Sequence, residues 1–193
     1  MPQSAGMFVC LVGPSGAGKD TLLRLVKIKL AAQPGFIFPC RRVTRTASPH
    51  EDHLVLTETA YLEGIRTERF ALAWRAHGLG YAIDHDVLPA LAAGHIVTCN
   101  VSRDAIAAAK LHFPRIATVL VTASADILAT RLHARGRETS AGIDERLIRN
   151  REFSENLAAD FVVDNSGDAA TAAAQLAAIL QNLAAAQPIA GAL

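Results

Sequence analysis

Short apolar runs alternate with helical stretches along most of the chain, and this order predicts a parallel α/β sheet. The run Met7–Val12 is apolar at every position, which is typical of a strand buried on both faces. A helix is predicted next, because Leu22, Val26 and Leu30 recur four residues apart and form one apolar face.

Later segments continue the alternation. Residues 36–43 form a β-prone run in which Pro39 predicts an edge position or a bulge. Residues 72–83 mix aromatic, His and Gly residues, as active-site loops and short strands do. The remaining predicted strands are 95–101, 116–123 and 161–164, and the predicted helices are 61–70, 87–93, 125–134 and those opening at Ser102 (as N-cap), Asp144 and Ala169.

Composition narrows the functional classes. With 193 residues and 51% hydrophobic positions the chain can bury one sizeable core, so we expect a single domain over residues 1–193. The net charge of +1 gives no global field for nucleic acid, and no apolar stretch is long enough to span a bilayer. The amino-terminal segment lacks a basic signal-peptide region, so we expect a cytoplasmic protein. The three cysteines, Cys10, Cys40 and Cys99, are interpreted as small buried hydrophobic residues.

The strongest motif is a phosphate loop between the first strand and the first helix. It runs Gly13-Pro14-Ser15-Gly16-Ala17-Gly18-Lys19-Asp20-Thr21, and the spacing of Gly13, Gly18 and Lys19 fits G-x-x-x-x-G-K. Glycines let successive backbone N–H groups surround a phosphate, and the helix dipole adds positive potential. We therefore expect residues 13–21 to bind the phosphates of a nucleotide, with Lys19 following the β- and γ-phosphates through transfer.

One position departs from that motif, since Asp20 stands where Ser or Thr would offer a hydroxyl to Mg²⁺. The predicted strand 95–101 contains Asn100 and lacks the usual Walker-B Asp. We interpret this pair of changes as relocation of the metal ligand to Asp20, since a carboxylate is a good ligand for a hard cation. The alternative is an acidic residue that only complements the helix dipole.

A phosphate loop serves GTPases, motors and small-molecule kinases. The sequence has no N-K-x-D guanine motif, and its length leaves no room for the extra modules of a motor. A kinase needs a second anion site and an Arg-bearing lid. Candidates for the anion site are Arg41, Arg42 and Arg45, and candidates for the lid are Arg131, Arg135, Arg137 and Arg146. Trp74 and His77 are candidates for stacking on a sugar and hydrogen-bonding to it.

Together the segments GPSGAGKD, VTRTAS, HLVLTE, LAWRAHGLGYAI, NVSR and RGRETSAGIDERL resemble the ribose 1,5-bisphosphate phosphokinases, a guanylate-kinase-like family of P-loop kinases. The resemblance implies a three-layer P-loop fold with an acceptor-binding insertion at about 41–83 and a lid at about 135–146. It implies γ-phosphoryl transfer from Mg·ATP to ribose 1,5-bisphosphate, yielding 5-phosphoribosyl 1-diphosphate, commonly within phosphonate breakdown.

The resemblance also implies residue roles. Lys19, Arg137 and Arg146 would be catalytic, Arg135 would contact ATP beside residues 13–21, and Asp20 would hold the metal. The acceptor residues would be Arg42, Thr44, Arg45, Trp74, His77, Tyr81, Asn100, Ser102 and Arg103.

Two alternatives stay open. A guanylate kinase carries T-R-x-P-R-x-G-E in its acceptor loop, whereas this chain has Thr44-Arg45-Thr46-Ala47-Ser48 and lacks the Pro and second Arg. A catalytically silent binding module would have no need of Lys19 or of an Arg-rich lid. Val101 and Ala82 stand where the phosphokinases usually have Gly, and we expect both side chains beside the acceptor pocket. The sequence leaves the oligomeric state open and permits a homodimer.

Overall fold

The computed structural model describes residues 6–46, 52–134 and 157–186, which form two β-sheets flanked by helices. The strands are β1 (Met7–Val12), β2 (Phe36–Ile37), β3 (Arg41–Val43), β4 (His53–Val55), β5 (Phe70–Ala76), β6 (Leu79–Asp84), β7 (Ile96–Asn100), β8 (Ile116–Thr122) and β9 (Phe161–Asp164). The helices are α1 (Lys19–Lys29), α2 (Glu58–Arg66), α3 (Val87–Ala92), α4 (Asp104–His112), α5 (Ala125–Ala134) and α6 (Ala169–Ala185).

The larger sheet has the order β2-β7-β1-β8-β9, and every pairing in it is parallel. Its central strand β1 is buried on both faces, as its unbroken apolar run predicts. Helices α1 and α6 cover one face, where Leu22 and Val26 pack with Leu176 and Leu180. The predicted parallel α/β architecture is therefore confirmed.

The smaller sheet has the order β4-β3-β6-β5 and combines parallel and antiparallel pairings. The predicted β-prone run 36–43 contains two strands, β2 at the edge of the larger sheet and β3 in the smaller sheet. The chain leaves the edge of the larger sheet after Ile37 and starts β3 of the smaller sheet at Arg41. Pro39 lies between the two strands and lacks the N–H that a continuous ladder would need. Residues 72–83 belong to the β5–β6 hairpin, which turns at His77 and Gly78, both with positive φ.

Side-chain alternation gives the smaller sheet two different faces. Trp74 and Val43 lie opposite Tyr81, so these three side chains share one face, which packs toward the larger sheet. Ala82 lies opposite Arg42 on the other face, where α2 packs.

Three predicted helix boundaries were wrong. Helix α2 begins at Glu58, three residues before the prediction, because the Thr57 hydroxyl accepts a hydrogen bond from the Ala60 amide at 3.1 Å. Its predicted end at Phe70 is already strand β5. Ser102 is not the N-cap of α4, since Arg103 occupies that position. The predicted helix at Asp144 lies outside the described residues. In the described ranges, no helix is long and apolar enough to cross a membrane.

Candidate active site

The phosphate loop connects β1 to α1, and its glycines are required by shape. Gly13 has φ +152°, and a Cβ there would lie 2.2 Å from the Val121 carbonyl oxygen. Gly18 has φ +87°, and its Cβ would lie 2.4 Å from Nδ2 of Asn165. Neither position can carry a side chain without moving its neighbours, so the loop keeps its backbone close to the ends of β8 and β9.

Lys19 opens α1 with its ammonium folded back over the loop. The Nζ atom donates to the carbonyl oxygens of Gly13, at 2.7 Å, and Pro14, at 3.0 Å. The ammonium is thereby held at the mouth of the loop, where an anionic phosphate would compete with these neutral carbonyls for its protons.

Two residues support the loop from the other side: Asn165, for which no role was predicted, and Arg131, which was predicted as a lid candidate. Asn165 follows β9, is buried, and donates from Nδ2 to the Ala17 carbonyl at 2.7 Å. Arg131 on α5 donates from Nη2 to the Asn165 carbonyl at 3.1 Å and from Nη1 to the Gly16 carbonyl at 3.4 Å. A polar residue directly after a parallel strand was the available signal for Asn165.

Asp20 contacts residues from both sheets. Its Oδ1 accepts a hydrogen bond from Nδ2 of Asn100 at 2.8 Å, and Nη2 of Arg41 lies 3.4 Å from the same oxygen. Asn100 and Arg41 are both buried. The two positions between which the metal ligand was predicted to have moved are thus in direct contact across the cleft, although the metal role itself stays a prediction.

The surroundings of Asp20 fit a magnesium ion. Its second oxygen, Oδ2, has no hydrogen-bond partner among the described residues, and the side chain is one-third exposed. The described part of the chain contains no cluster of three His, Cys, Asp or Glu residues that could enclose a metal. An ion held by one carboxylate, phosphate oxygens and water is the ordinary arrangement for Mg²⁺ in phosphotransferases.

A cleft of about 550 Å³ opens beside Asp20, between α1, the end of β7 and the segment 38–41. Its size suits a small molecule. Arg41 lines it with only 9% of its surface exposed, and its guanidinium lies 6.0 Å from the centre of the Tyr81 ring. Arg41 was predicted as a candidate for the second anion site, but it was not among the acceptor residues that the family resemblance implies.

The predicted acceptor residues divide between the two faces of the smaller sheet. Trp74 and Tyr81 stack at 5.3 Å between ring centres on the face that carries Arg41. Arg42 points to the opposite face, where its Nε donates to both oxygens of Asp84 at 2.9 and 2.6 Å. Thr44 accepts a hydrogen bond from the Gly80 amide at 2.8 Å, which ties β3 to the hairpin.

The other predicted acceptor residues lie around these strands. Arg45 follows β3 and is half-buried, Arg103 is exposed at the start of α4, and His77 is exposed at the hairpin turn. Ser102 is half-buried, but its hydroxyl is buried and has no hydrogen-bond partner in the described ranges.

The expectation for Ala82 was wrong, because its side chain packs with Leu56 and Tyr61 under α2, on the face away from Trp74. Val101 is buried in the core cluster that contains Trp74.

The cysteines differ in environment. Burial raises the pKa of Cys10 and of Cys99 to about 12, as expected for buried thiols. The expectation for Cys40 was wrong, since Cys40 is exposed at the edge of the cleft. Partial burial, followed by the charge of Asp52, raises the pKa of the Cys40 thiol.

The predicted lid residues Arg135, Arg137 and Arg146 lie outside the described residues.

Comparisons with known proteins agree on the family and on the fold. No family model matches the chain. It is 47% identical over 176 residues to a ribose 1,5-bisphosphate phosphokinase of Methylobacterium radiotolerans, which covers 91% of this chain and 98% of the relative. A protein of the same name from Acidiphilium cryptum is 44% identical over 180 residues, covering 93% and 94%.

Among solved structures, the guanylate kinase of Anaplasma phagocytophilum superposes with a TM-score of 0.69 at 17% identity. The likeness covers 94% of this chain and 88% of that structure, and it confirms the predicted guanylate-kinase-like P-loop fold.

Proposed function

Because the chain belongs to the ribose 1,5-bisphosphate phosphokinase family, and is therefore a kinase, we propose that it transfers the γ-phosphoryl group of ATP to the 1-phosphate of ribose 1,5-bisphosphate. The product is 5-phosphoribosyl 1-diphosphate, and the process served is phosphonate breakdown. The observation that carries this proposal is a near-full-length likeness at 47% identity, combined with a phosphate loop whose last two residues, Asp20 and Thr21, line a cleft.

The position of the loop separates a donor side from an acceptor side. Strand β1, which leads into the loop, is the middle strand of the larger sheet. Asn165 and Arg131 contact the loop from the side of β8 and β9, whereas the cleft lies on the side of β7 and β2. We assign ATP to the loop and the β9 side, and the acceptor to the cleft and the face of the smaller sheet that carries Tyr81.

The chemistry requires little from the protein beyond position and charge. Backbone N–H groups of the phosphate loop, Pro14 excepted, and the ammonium of Lys19 would bind the β- and γ-phosphates and offset the charge of the transferred group. The attacking atom is an oxygen of a phosphate that is already ionised, so no general base is needed. We propose that the lid arginines, Arg137 and Arg146, close over the transferred group.

Asp20 would hold Mg²⁺, which neutralises charge on the phosphates as they react. The protein contributes the orientation of this carboxylate. Asn100 and Arg41 both contact Oδ1 of Asp20, so Oδ2 lies on the side of the carboxylate that these two residues leave open.

Two of the predicted acceptor residues carry a buried polar atom without a partner. Nε1 of Trp74 and the hydroxyl of Ser102 make no hydrogen bond within the described residues. A buried donor without a partner costs about 1–3 kcal/mol, and a hydroxyl-rich ligand would remove that cost. The Trp74 donor belongs to the ring pair of Trp74 and Tyr81, so it supports a polar acceptor beside these rings.

A coupled assay of ADP release tests the proposal with ribose 1,5-bisphosphate and GMP in parallel. Rapid turnover with the ribose bisphosphate is expected, and Lys19→Ala should lower kcat by several orders of magnitude while the far-ultraviolet circular dichroism stays unchanged. Faster turnover with GMP would make the chain a nucleoside-monophosphate kinase. No turnover with either acceptor would overturn the proposal.

A further inference from the structure

The cleft beside Asp20 has a net positive lining, part of which lies away from Asp20 along α1. Three cationic side chains line it, those of Arg24, Lys27 and Arg41, against two carboxylates, those of Asp20 and Asp52. Asp20 is engaged by Asn100 and Arg41, while Asp52 accepts a hydrogen bond from the Cys40 thiol at 3.7 Å.

Two of the cleft's cationic side chains belong to α1, and neither is engaged by a described residue. Arg24 and Lys27 form no hydrogen bond or ion pair with any part of the chain that the structure describes. They follow Asp20 at positions i+4 and i+7, so the three side chains form one stripe of the helix along the cleft.

A polar side chain of β7 lies on the opposite wall. Thr98 is 1% exposed and lines the cleft, and its hydroxyl has no hydrogen-bond partner among the described residues. Side chains two residues apart on a strand point to the same face, so Ile96, Thr98 and Asn100 share one face of β7. Helix α1 covers that face, because Ile96 packs in the same core cluster as Leu22 of α1.

Helix and strand geometry places Thr98 and Arg24 at the same depth. The Asn100–Asp20 hydrogen bond fixes one point at which β7 and α1 meet. Since β1, β2 and β7 are parallel and α1 returns from β1 to β2, the helix runs opposite to β7. Thr98 is two residues before Asn100 on β7, and Arg24 is four residues after Asp20 on α1. Each step covers about 6 Å in the same direction, so Thr98 and Arg24 lie at the same depth on opposite walls of the cleft.

We propose that Arg24, Lys27 and Thr98 form a second phosphate subsite, which binds the phosphate group of the acceptor that is not phosphorylated. This inference rests on the proposed function, because it assumes a sugar bisphosphate whose reacting phosphate lies at the Asp20 end, next to Lys19. The sugar then spans the depth between Asp20 and Arg24, and the subsite selects an acceptor with two phosphates over one with a single phosphate.

Two ribose monophosphates separate the subsite from the rest of the cleft. Ribose 5-phosphate carries only the distal phosphate, and ribose 1-phosphate carries only the reacting one. Binding of each is measured by isothermal calorimetry for the wild type, Arg24→Gln, Lys27→Gln and Thr98→Val. Lys29→Gln is the matched control, because Lys29 lies in the same last turn of α1 but does not line the cleft.

For Arg24→Gln and Lys27→Gln, the Kd of ribose 5-phosphate should rise about 10-fold or more, since each loses a charge-assisted contact. The Kd of ribose 1-phosphate and the KM for ATP should stay within about twofold. Lys29→Gln should change none of these values. Thr98→Val should weaken ribose 5-phosphate yet raise the melting temperature of the free protein, because it removes a buried hydroxyl without a partner.

The outcomes distinguish the subsite from the proposed function. If the wild type phosphorylates ribose 1,5-bisphosphate but fails to bind ribose 5-phosphate, or if Arg24→Gln and Lys27→Gln bind it as the wild type does, the subsite is wrong and the function stands. If ribose 5-phosphate binds and the variants weaken it, but ribose 1,5-bisphosphate is not phosphorylated, the subsite stands and the function is wrong.

Discussion

The side-chain amide of Asn100 donates a 2.8 Å hydrogen bond to the carboxylate of Asp20, across the gap between the end of β7 and the start of α1. Asn100 stands where a phosphate-loop protein usually has the Walker-B Asp. Asp20 stands where such a protein usually has the hydroxyl of a Ser or Thr. The contact explains why the two changes occur together, since an Asp at both positions would bring two negative charges to hydrogen-bonding distance.

The first prediction concerns the charge of Asp20. Asp20→Asn keeps the shape of the side chain but removes its charge, so activity should need a higher Mg²⁺ concentration and recover partly at saturation. Asp20→Ser should be milder than Asp20→Ala, because a hydroxyl can still approach the ion. Titration of activity against Mg²⁺ measures both effects. An unmoved midpoint in Asp20→Asn would reject the metal role and leave Asp20 with structural roles, its contacts with Asn100 and Arg41 and a helix-dipole contribution of about 0.3–1 kcal/mol.

The second prediction exchanges the two side chains. Asn100→Asp alone should lower both the melting temperature and the activity, because two carboxylates then meet in a buried setting. The double variant Asp20→Asn/Asn100→Asp restores an amide–carboxylate pair with donor and acceptor reversed. Its melting temperature should exceed that of Asn100→Asp by several degrees, measured by differential scanning calorimetry. Additive losses in the double variant would show that the contact does not couple the two positions.

Local sequence pattern explains which parts of this architecture were predictable. Strand β1, the phosphate loop and α1 follow from an unbroken apolar run, glycine spacing and helical periodicity, each read within about 20 residues. The smaller sheet was missed because β3 and β4 have three residues each, too few to show an alternation.

The directions in which the side chains point were also not predicted from the sequence. Arg41 and Arg42 are neighbours of the same type, so the sequence does not show which of them faces the cleft. The pairing of Arg42 with Ala82 places Arg42 on the face that α2 covers, and Arg41 therefore lies on the opposite face and lines the cleft. The contacts of Asn165 and Arg131 with the phosphate loop join positions more than 100 residues apart in sequence, so local pattern could mark Asn165 as a residue at the end of a strand but could not predict which atoms it contacts.

The third prediction concerns thiol reactivity. In the native protein only Cys40 should react with iodoacetamide, because burial raises the pKa of Cys10 and Cys99 to about 12, while all three thiols should react after unfolding in guanidinium. The raised pKa of Cys40 lowers its thiolate fraction at a given pH. Its alkylation rate should therefore be slower than that of an unfolded control peptide at neutral pH and rise at higher pH, as followed by intact-mass spectrometry. Modification of two or three native thiols would contradict this environment.

The last prediction separates a structural from a substrate role for Arg42. The ion pair between Arg42 and Asp84 is about three-quarters buried, with side-chain exposures of 22% and 24%. Solvent therefore screens it less than a surface pair. A double-mutant cycle with Arg42→Met and Asp84→Asn should give a coupling free energy of about 1–3 kcal/mol by denaturant unfolding. The matched control is the exposed Arg66–Glu63 pair, at 71% and 56% exposure, for which we expect a much weaker coupling because solvent screens the two charges. If Arg42 mainly ties β3 to β6, Arg42→Met should leave the KM for ribose 1,5-bisphosphate within about twofold of the wild type. A large rise in that KM with a coupling near zero would instead return Arg42 to the acceptor site.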